Sequence, residues 1–112
     1  MGTNKFRQLA VDYIAVFNRH DLDGLGALFD DAVTLRDWTL EASGREAVLA
    51  ANRSIFEAVP KIAVTILQSV VDGHRVALEL DIAVDENERI KVVDLLEFTE
   101  AGRLIAVRAF KG

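Results

Sequence analysis

The apolar positions change period once along the chain, which divides it into a mainly helical first half and a stranded second half. Over residues 6–17 the apolar side chains recur every three or four positions, the spacing of an amphipathic helix. A second, short helix follows Asp21, which can cap it, and a third follows the capping-box pattern of Ser43 and Glu46. Pro60 ends that third helix.

After Pro60 the apolar residues alternate with a period of two, which is typical of β-strands. The alternation predicts four strands joined by short turns: Ile62–Val71, Arg75–Val84, Arg89–Thr99 and Leu104–Lys111. One earlier strand, Val33–Trp38, stands between the second and third helices. This order predicts an α+β fold, with a curved, mostly antiparallel sheet wrapped around about three N-terminal helices.

Composition narrows the classes of function. The 112 residues suffice for a single domain over 1–112, and 51% of them are apolar, which indicates a buried cavity, an oligomer interface or both. The absence of cysteine excludes disulfides and thiol chemistry, and a net charge of −5 disfavours nucleic acid as a partner. Neither a signal peptide nor a membrane span is apparent, so we expect a cytoplasmic protein without a membrane partner.

Asp94 is the first polar residue that stands out on an apolar face. Its strand places it on the same side as four apolar residues: Ile90, Val92, Leu96 and Phe98. A carboxyl in such surroundings must be paired, hydrated or protonated, and protonation there requires a raised pKa. The residues alone leave these possibilities open, including an aspartate bonded to backbone amides at a bulge.

Tyr13 and Asp37 are the other two polar residues on apolar stripes. Tyr13 is the single tyrosine and lies on the inward stripe of the first helix, while Asp37 ends the stripe that begins with Val33 and Leu35. Each also has a purely structural interpretation. Tyr13 can be a core residue bonded to a backbone carbonyl, and Asp37 can form a turn at the end of a strand.

Five segments stand where bacterial ketosteroid isomerases have like residues: Tyr13-Ile14, Phe29 to Thr34 leading into Asp37, Gly44-Arg45-Glu46, Val93-Asp94 and Gly102-Arg103-Leu104. The chain therefore resembles the nuclear transport factor 2-like (NTF2-like), or SnoaL-like, superfamily, and within it the bacterial ketosteroid isomerases. The resemblance covers nearly the whole chain. It implies a cone-shaped roll of the NTF2-like or cystatin-like type. The Gly-Arg-Glu and final Gly-Arg motifs are shared widely in that superfamily and do not specify an activity.

The resemblance also implies an active site. Asp37 matches the base that moves a proton beside an enone, and Tyr13 and Asp94 match the donors to the dienolate oxygen, which selects the protonated form for Asp94. The substrate would be a small apolar molecule like a 3-oxo steroid, and neither a metal nor an organic cofactor is expected. Four residues are expected to line the substrate pocket: Phe17, Val92, Val107 and Ala109.

Some positions depart from the isomerase pattern. These departures bear on the identity of the substrate more than on the proton transfer. Trp38 stands where those isomerases carry proline, and Lys111 stands where an aromatic residue can line the pocket. Phe29 and Asn52 replace supporting tyrosines, although Asn52 could still hydrogen-bond Tyr13.

The strand over residues 77–84 allows two registers. One register directs Leu78 and Leu80 into the pocket, and the other directs Glu79 and Asp81 there. In the second register Asp81 would become an alternative base.

Two other interpretations stay open: a SnoaL-like small-molecule-binding domain with another activity or none, and a purely structural dimerisation module. An unfilled pocket larger than about 300 Å³ beside the three polar residues would favour an enzyme or a binding domain. We also expect a homodimer through the outer face of the sheet, since several strands are apolar on both faces. The outer positions are Val93, Leu95, Ala106 and Phe110.

Overall fold

A computed structural model describes residues 4–112. Within them the chain forms three helices, α1 (Lys5–Asn18), α2 (Leu22–Leu28) and α3 (Arg45–Ala58). The strands are β1 (Phe29–Arg36), β2 (Glu41–Ser43), β3 (Ala63–Asp72), β4 (Arg75–Ala83), β5 (Arg89–Phe98) and β6 (Leu104–Lys111). None of these helices is both long enough and apolar enough to cross a membrane.

The six strands form one sheet in the order β2-β1-β6-β5-β4-β3. The strands β3 to β6 are a meander of antiparallel hairpins, and β1 joins it by a parallel pairing with β6. The predicted α+β class, with a mostly antiparallel sheet, is therefore confirmed. In this register Asp94 of β5 lies opposite Leu78 of β4 on one side and Ala109 of β6 on the other.

The helices cover the inner face of the sheet, and the core lies between them. On β4 the buried residues alternate, and Leu78 and Leu80 are both inside. On β5 the same alternation buries Val92 and Asp94. The register that directs Leu78 and Leu80 inward is thus the correct one. Asp81 points to the other face, where it pairs with arginine and lysine side chains.

Two arginines fix the start of β1. The Nη2 atoms of Arg45 and Arg103 both donate to the carbonyl oxygen of Phe29, at 2.7 and 2.6 Å, and Arg45 also pairs with Asp31 at 2.7 Å. These contacts tie α3 and the turn before β6 to β1, where the β1–β6 register shifts between Phe29 and Thr34. The widely shared Gly-Arg motifs therefore have a structural use in this chain.

The predicted capping box is wrong. Ser43 belongs to the short strand β2, where it lies opposite Thr34, and Gly44 is the residue that precedes the helix, without a side-chain cap. Gly44 has a φ of 90°, a conformation that favours glycine, so its backbone turns the chain from β2 into α3. The pattern did not predict β2, because three residues are too few to show an alternation.

Both boundaries of β1 also differ from the prediction, whereas those of β3, β4 and β5 differ by at most one residue. The strand predicted over Val33–Trp38 begins earlier, at Phe29, and ends at Arg36 rather than at Trp38. Asp37 and Trp38 consequently lie just beyond the strand. The predicted cap of α2 is confirmed, because Oδ1 of Asp21 accepts a hydrogen bond from the amide of Gly24 at 2.9 Å.

Candidate active site

A cavity of about 340 Å³ lies between the helices and the inner face of the sheet. Tyr13, Asp37 and Asp94 all line it, although they come from α1, the end of β1 and β5. Most of the other lining residues are apolar. The volume exceeds about 300 Å³ and falls in the range of small-molecule sites, so the space beside these three residues is not filled by side chains.

Asp94 lies in the part of the cavity wall formed by β5 and is only 8% exposed. No other group in residues 4–112 hydrogen-bonds its carboxyl or forms an ion pair with it. Burial raises the pKa of Asp94 to about 7, and the negative charge of Asp37 acts in the same direction. Of the three states that the sequence left open, the ion-paired state is absent from the described part of the chain.

Tyr13 projects from α1 and is 5% exposed. Burial raises the pKa of its hydroxyl well above the ordinary value, and the charge of Asp94 raises it further, so the hydroxyl keeps its proton and can donate. The hydrogen bond considered between Asn52 and Tyr13 is not formed. Nδ2 of Asn52 instead donates to the carbonyl of Val48, one turn earlier in α3, at 2.9 Å.

Asp37 combines a structural and a cavity-facing position. Its Oδ1 accepts hydrogen bonds from the amide of Thr39 at 2.7 Å, the hydroxyl of Thr39 at 3.1 Å and the amide of Leu40 at 2.8 Å. The turn interpretation therefore holds for this oxygen. Within residues 4–112 the other oxygen, Oδ2, accepts no hydrogen bond, so a second lone-pair site of the carboxyl is available to a ligand.

The four predicted pocket residues all line the cavity: Phe17, Val92, Val107 and Ala109. Sequence reasoning missed part of the opposite wall, which consists of Ile55, Val59 and Ile62 from α3 and the loop after it. The helical spacing of Ile55 and Val59 indicated burial, and Ile62 was predicted to begin a strand, but neither pattern distinguishes packed core from cavity wall. Glu88, in the turn between β4 and β5, also lines the cavity, although an acidic turn in a sequence is typical of a solvated hairpin.

Trp38 and Lys111 lie together at the cavity wall. Nζ of Lys111 is 5.8 Å from the centroid of the Trp38 ring, within the range of a cation–π contact. The resemblance already placed Lys111 at a pocket-lining position, and alternation agrees with it, because Lys111 follows Val107 and Ala109 at intervals of two on the same strand. The contact with Trp38 depends on the β1–β6 pairing and has no signal in the sequence.

The chemistry available here is that of an acid and a base in an apolar pocket. An aspartate with a free oxygen, a second aspartate with a raised pKa and a tyrosine that stays protonated surround one space. Such groups can take a proton from a bound molecule and donate hydrogen bonds to an oxygen that becomes negative. Within the described residues no three His, Cys, Asp or Glu side chains cluster as a metal site would require.

The family model of the SnoaL-like domain matches residues 10–107 of the chain. The chain belongs to this family. No curated protein shows a significant match to this SnoaL-like chain.

Solved structures resemble the SnoaL-like chain over nearly its whole length. A candidate ketosteroid isomerase from Kribbella flavida has a TM-score of 0.84 and 22% identity, with 96% of this chain and 78% of that one covered. The epoxide hydrolase/cyclase-like enzyme SalBIII, described in pyran ring formation in the polyether salinomycin, has a TM-score of 0.81 and 22% identity, with 96% and 91% covered. An NTF2-like protein of unknown function from Cytophaga hutchinsonii has a TM-score of 0.82 and 16% identity, with 100% and 95% covered. These similarities confirm the NTF2-like fold.

Proposed function

We propose that this SnoaL-like chain is a cofactor-independent isomerase that moves a double bond of an apolar enone, such as a 3-oxo steroid, by intramolecular proton transfer. The observation that carries the proposal is the placement of Asp94, a buried carboxyl without an ion-pair partner in residues 4–112, in one cavity with Asp37 and Tyr13. The structural similarity to a candidate ketosteroid isomerase supports it.

In the proposed reaction Asp37 is the base. Its free carboxylate oxygen takes the proton from the carbon between the carbonyl group and the isolated double bond, so a C–H bond breaks and an O–H bond forms. The electron pair moves to the carbonyl oxygen and gives a dienolate. Asp37 then returns the proton to the far carbon of the double bond, and the electrons move back to form the conjugated ketone.

Tyr13 and Asp94 supply the hydrogen bonds to the dienolate oxygen. Both can donate only when protonated, and burial favours the protonated form of each group. Fixed donors in a space with little water stabilise the developing charge more than water does, since they need no reorganisation during the reaction. The apolar residues Val92 and Val107 would pack against the body of the substrate.

The test is conversion of a β,γ-unsaturated 3-oxo steroid to its conjugated isomer, followed by ultraviolet absorbance, with the wild type beside Asp37→Asn. Turnover by the wild type and its loss in the variant is the expected result. In deuterated water the product should retain most of the transferred hydrogen, because the same carboxyl removes and returns it. Wild-type protein that accelerates none of a series of β,γ-unsaturated ketones, from 3-cyclohexenone to steroids, would overturn the proposal.

A second candidate is a SnoaL-like binding domain with another activity or none. The similarity to SalBIII favours it, as do Trp38, which stands where the isomerases carry proline, and Lys111, which stands where an aromatic residue can line the pocket. An epoxide could take the place of the enone, with Asp94 donating to its oxygen. Arg36, however, is exposed on the far side of β1 from the cavity, which disfavours an Arg–Asp pair as the hydrolytic centre. Ligand binding without enone turnover would favour this candidate.

We also propose that two copies associate through the outer face of the sheet. Val93 and Phe110 are 41% and 56% exposed, and they lie directly opposite each other on β5 and β6. As cross-strand neighbours they form an exposed apolar patch that burial against a second copy would remove from water. A stable interface of this kind typically buries more than about 1,000 Å² in total. The cytoplasmic location stays a prediction from the sequence.

A further inference from the structure

The cavity is lined by acidic groups at three positions and by a basic group at one. The acids are Asp37, Glu88 and Asp94, and Lys111 is the one lysine or arginine among the described residues of the lining. An enone needs no cation at this place, and the proposed proton transfer does not use Lys111. The position of Lys111 in the cavity wall is therefore not explained by the proposed reaction.

Lys111 has a defined place relative to the reacting groups. On β6 it is two residues beyond Ala109, which lies opposite Asp94, while Lys111 itself lies opposite Val92. Residues two apart on a strand face the same side and are separated by about 7 Å. A ligand whose oxygen reaches Asp94 would thus extend along the wall of the cavity toward Lys111.

The ammonium group of Lys111 has an aromatic neighbour and, within residues 4–112, no carboxylate close enough for an ion pair. Its Nζ lies 5.8 Å from the centroid of the Trp38 ring, and it forms no ion pair with a carboxylate in residues 4–112. By contrast, Lys91 on the outer face pairs with Asp81 at 3.4 Å. A lysine held over a ring beside an apolar cavity keeps its capacity to pair with an anion.

Trp38 offers the complementary apolar surface. It is 45% exposed although it lines the cavity, so part of its ring is open to solvent or to a ligand. A ligand that emerges from the cavity can lie against this ring and place a negative group near Nζ of Lys111. One lysine suits a monoanion, whereas a phosphate dianion would need more donors than this wall provides.

We propose that Lys111 and Trp38 form a subsite for a carboxylate at the far end of the substrate, so that the substrate is an apolar enone acid rather than a neutral enone. The enone part of this proposal rests on the isomerase function proposed above. The carboxylate part rests on the placement and pairing of Lys111 and can be measured without any turnover.

Binding is measured by the fluorescence of Trp38, the single tryptophan of the chain. The ligands are progesterone and the matched steroid acid in which a carboxylate replaces its acetyl group. The wild type should bind the acid about fivefold more tightly than progesterone, which is the size expected of one partly exposed ion pair. This preference should shrink when NaCl is raised from about 0.05 M to about 0.5 M, while binding of progesterone stays unchanged.

The decisive variant is Lys111→Met, which keeps a long apolar stem without the charge. It should lose the preference for the acid and bind progesterone within about twofold of the wild type. The matched control is Lys91→Met, which removes the same charge from the outer face and should keep the preference.

Three outcomes would overturn the subsite: no preference for the acid in the wild type, an equal loss for both ligands in Lys111→Met, or no binding of the acid at millimolar concentration. If the protein prefers the acid in a way that depends on Lys111 but turns over no enone, the subsite is supported and the isomerase function is rejected. If the protein turns over neutral enones and Lys111 has no effect on the binding of the acid, the isomerase function is supported and the subsite is rejected.

Discussion

Asp81 and Asp94 lie on neighbouring strands of the same sheet, and the two faces of that sheet give them opposite acid–base properties. On the outer face Asp81 accepts hydrogen bonds from Arg89 and lies 3.4 Å from Nζ of Lys91, and the hydrogen bond from Arg89 is the main cause of its lowered pKa. On the inner face Asp94 has no such partner among residues 4–112, and burial raises its pKa to about 7.

The comparison shows that the surroundings of an aspartate decide its chemistry more than its strand position does. Both residues sit within long antiparallel strands with apolar neighbours along the chain. The outer face provides cations and water, so the charged form is stabilised. The inner face provides a cavity lined by apolar side chains and the negative charge of Asp37, so the neutral form is favoured. A neutral carboxyl can donate a hydrogen bond, and a paired carboxylate cannot.

The largest expected effect separates the aspartates by their role in turnover. Asp37→Asn should lower enone isomerisation by about a thousandfold or more, because the amide keeps the size of the side chain but cannot accept the proton. Asp81→Asn, on the outer face, should keep wild-type turnover. Rates are measured on both purified variants with circular dichroism as a check of folding. Loss of activity in Asp81→Asn alone would mean that the base lies on the outer face, which would contradict the proposed role of Asp37.

The outer face itself is tested by Phe110→Glu. A charge in the patch with Val93 should convert the proposed dimer to a 12.4 kDa monomer, because the carboxylate would be buried without a partner in the interface. Sedimentation at micromolar concentration measures the change. Leu67→Glu is the control, since Leu67 is a similarly exposed apolar residue, 48%, on β3 at the far edge of the sheet. A wild type that already sediments as a monomer would contradict the proposed interface.

Asp94→Asn should stabilise the protein near pH 7. Asp94 has a pKa of about 7 in the folded protein and about 4 when unfolded, so ionisation of the unfolded chain lowers the stability as pH rises through this interval. The cost reaches up to about 4 kcal/mol and levels off above pH 7. Thermal melting of the wild type and the variant from pH 5 to 8 measures it.

In the same melting experiment, Asp81→Asn should change the stability in the opposite direction, by destabilising the protein. Its lowered folded pKa stabilises the protein above the unfolded value near ~4, and this stabilisation is lost as pH falls through the folded pKa. The variant should thus melt below the wild type throughout pH 5 to 8, and extending the series below about pH 4 should bring the two melting temperatures together. If Asp94→Asn is also destabilised over the whole range, Asp94 is ionised and paired, and its role as a donor is wrong.

The smallest expected effect concerns the coupling of the two inner aspartates. In Asp37→Asn the pKa of Asp94 should fall, because the negative charge beside it is gone, but it should stay above the ordinary value since burial is the larger cause. Carboxyl carbon shifts followed by NMR during a pH titration report the change. An unchanged pKa of Asp94 would mean that Asp37 is too distant to act on the same ligand.

The boundaries that sequence could not predict are those that depend on a few residues. The short strand β2 contains three residues, too few for a period, and Ser43 resembled a helix cap until the sheet pairing with Thr34 was visible. The order of the remaining elements was predictable, because their periods extend over eight or more residues in most cases. The role of Asp37 was ambiguous for another reason, because the residue has two roles. One carboxylate oxygen, Oδ1, accepts the hydrogen bonds of the turn, while the residue also lines the cavity.

The sequence by itself determined the order of helices and strands, the inward stripes that carry Tyr13 and Asp94, and the resemblance to an NTF2-like fold, because these depend on local periods and motifs. Tertiary structure decided the register that turns Leu80 inward and Asp81 outward, the unfilled space between helices and sheet, and the contact of Lys111 with Trp38. Those features depend on pairing between strands distant in sequence and on how completely side chains fill the interior, and neither is encoded in the spacing of residues along one strand.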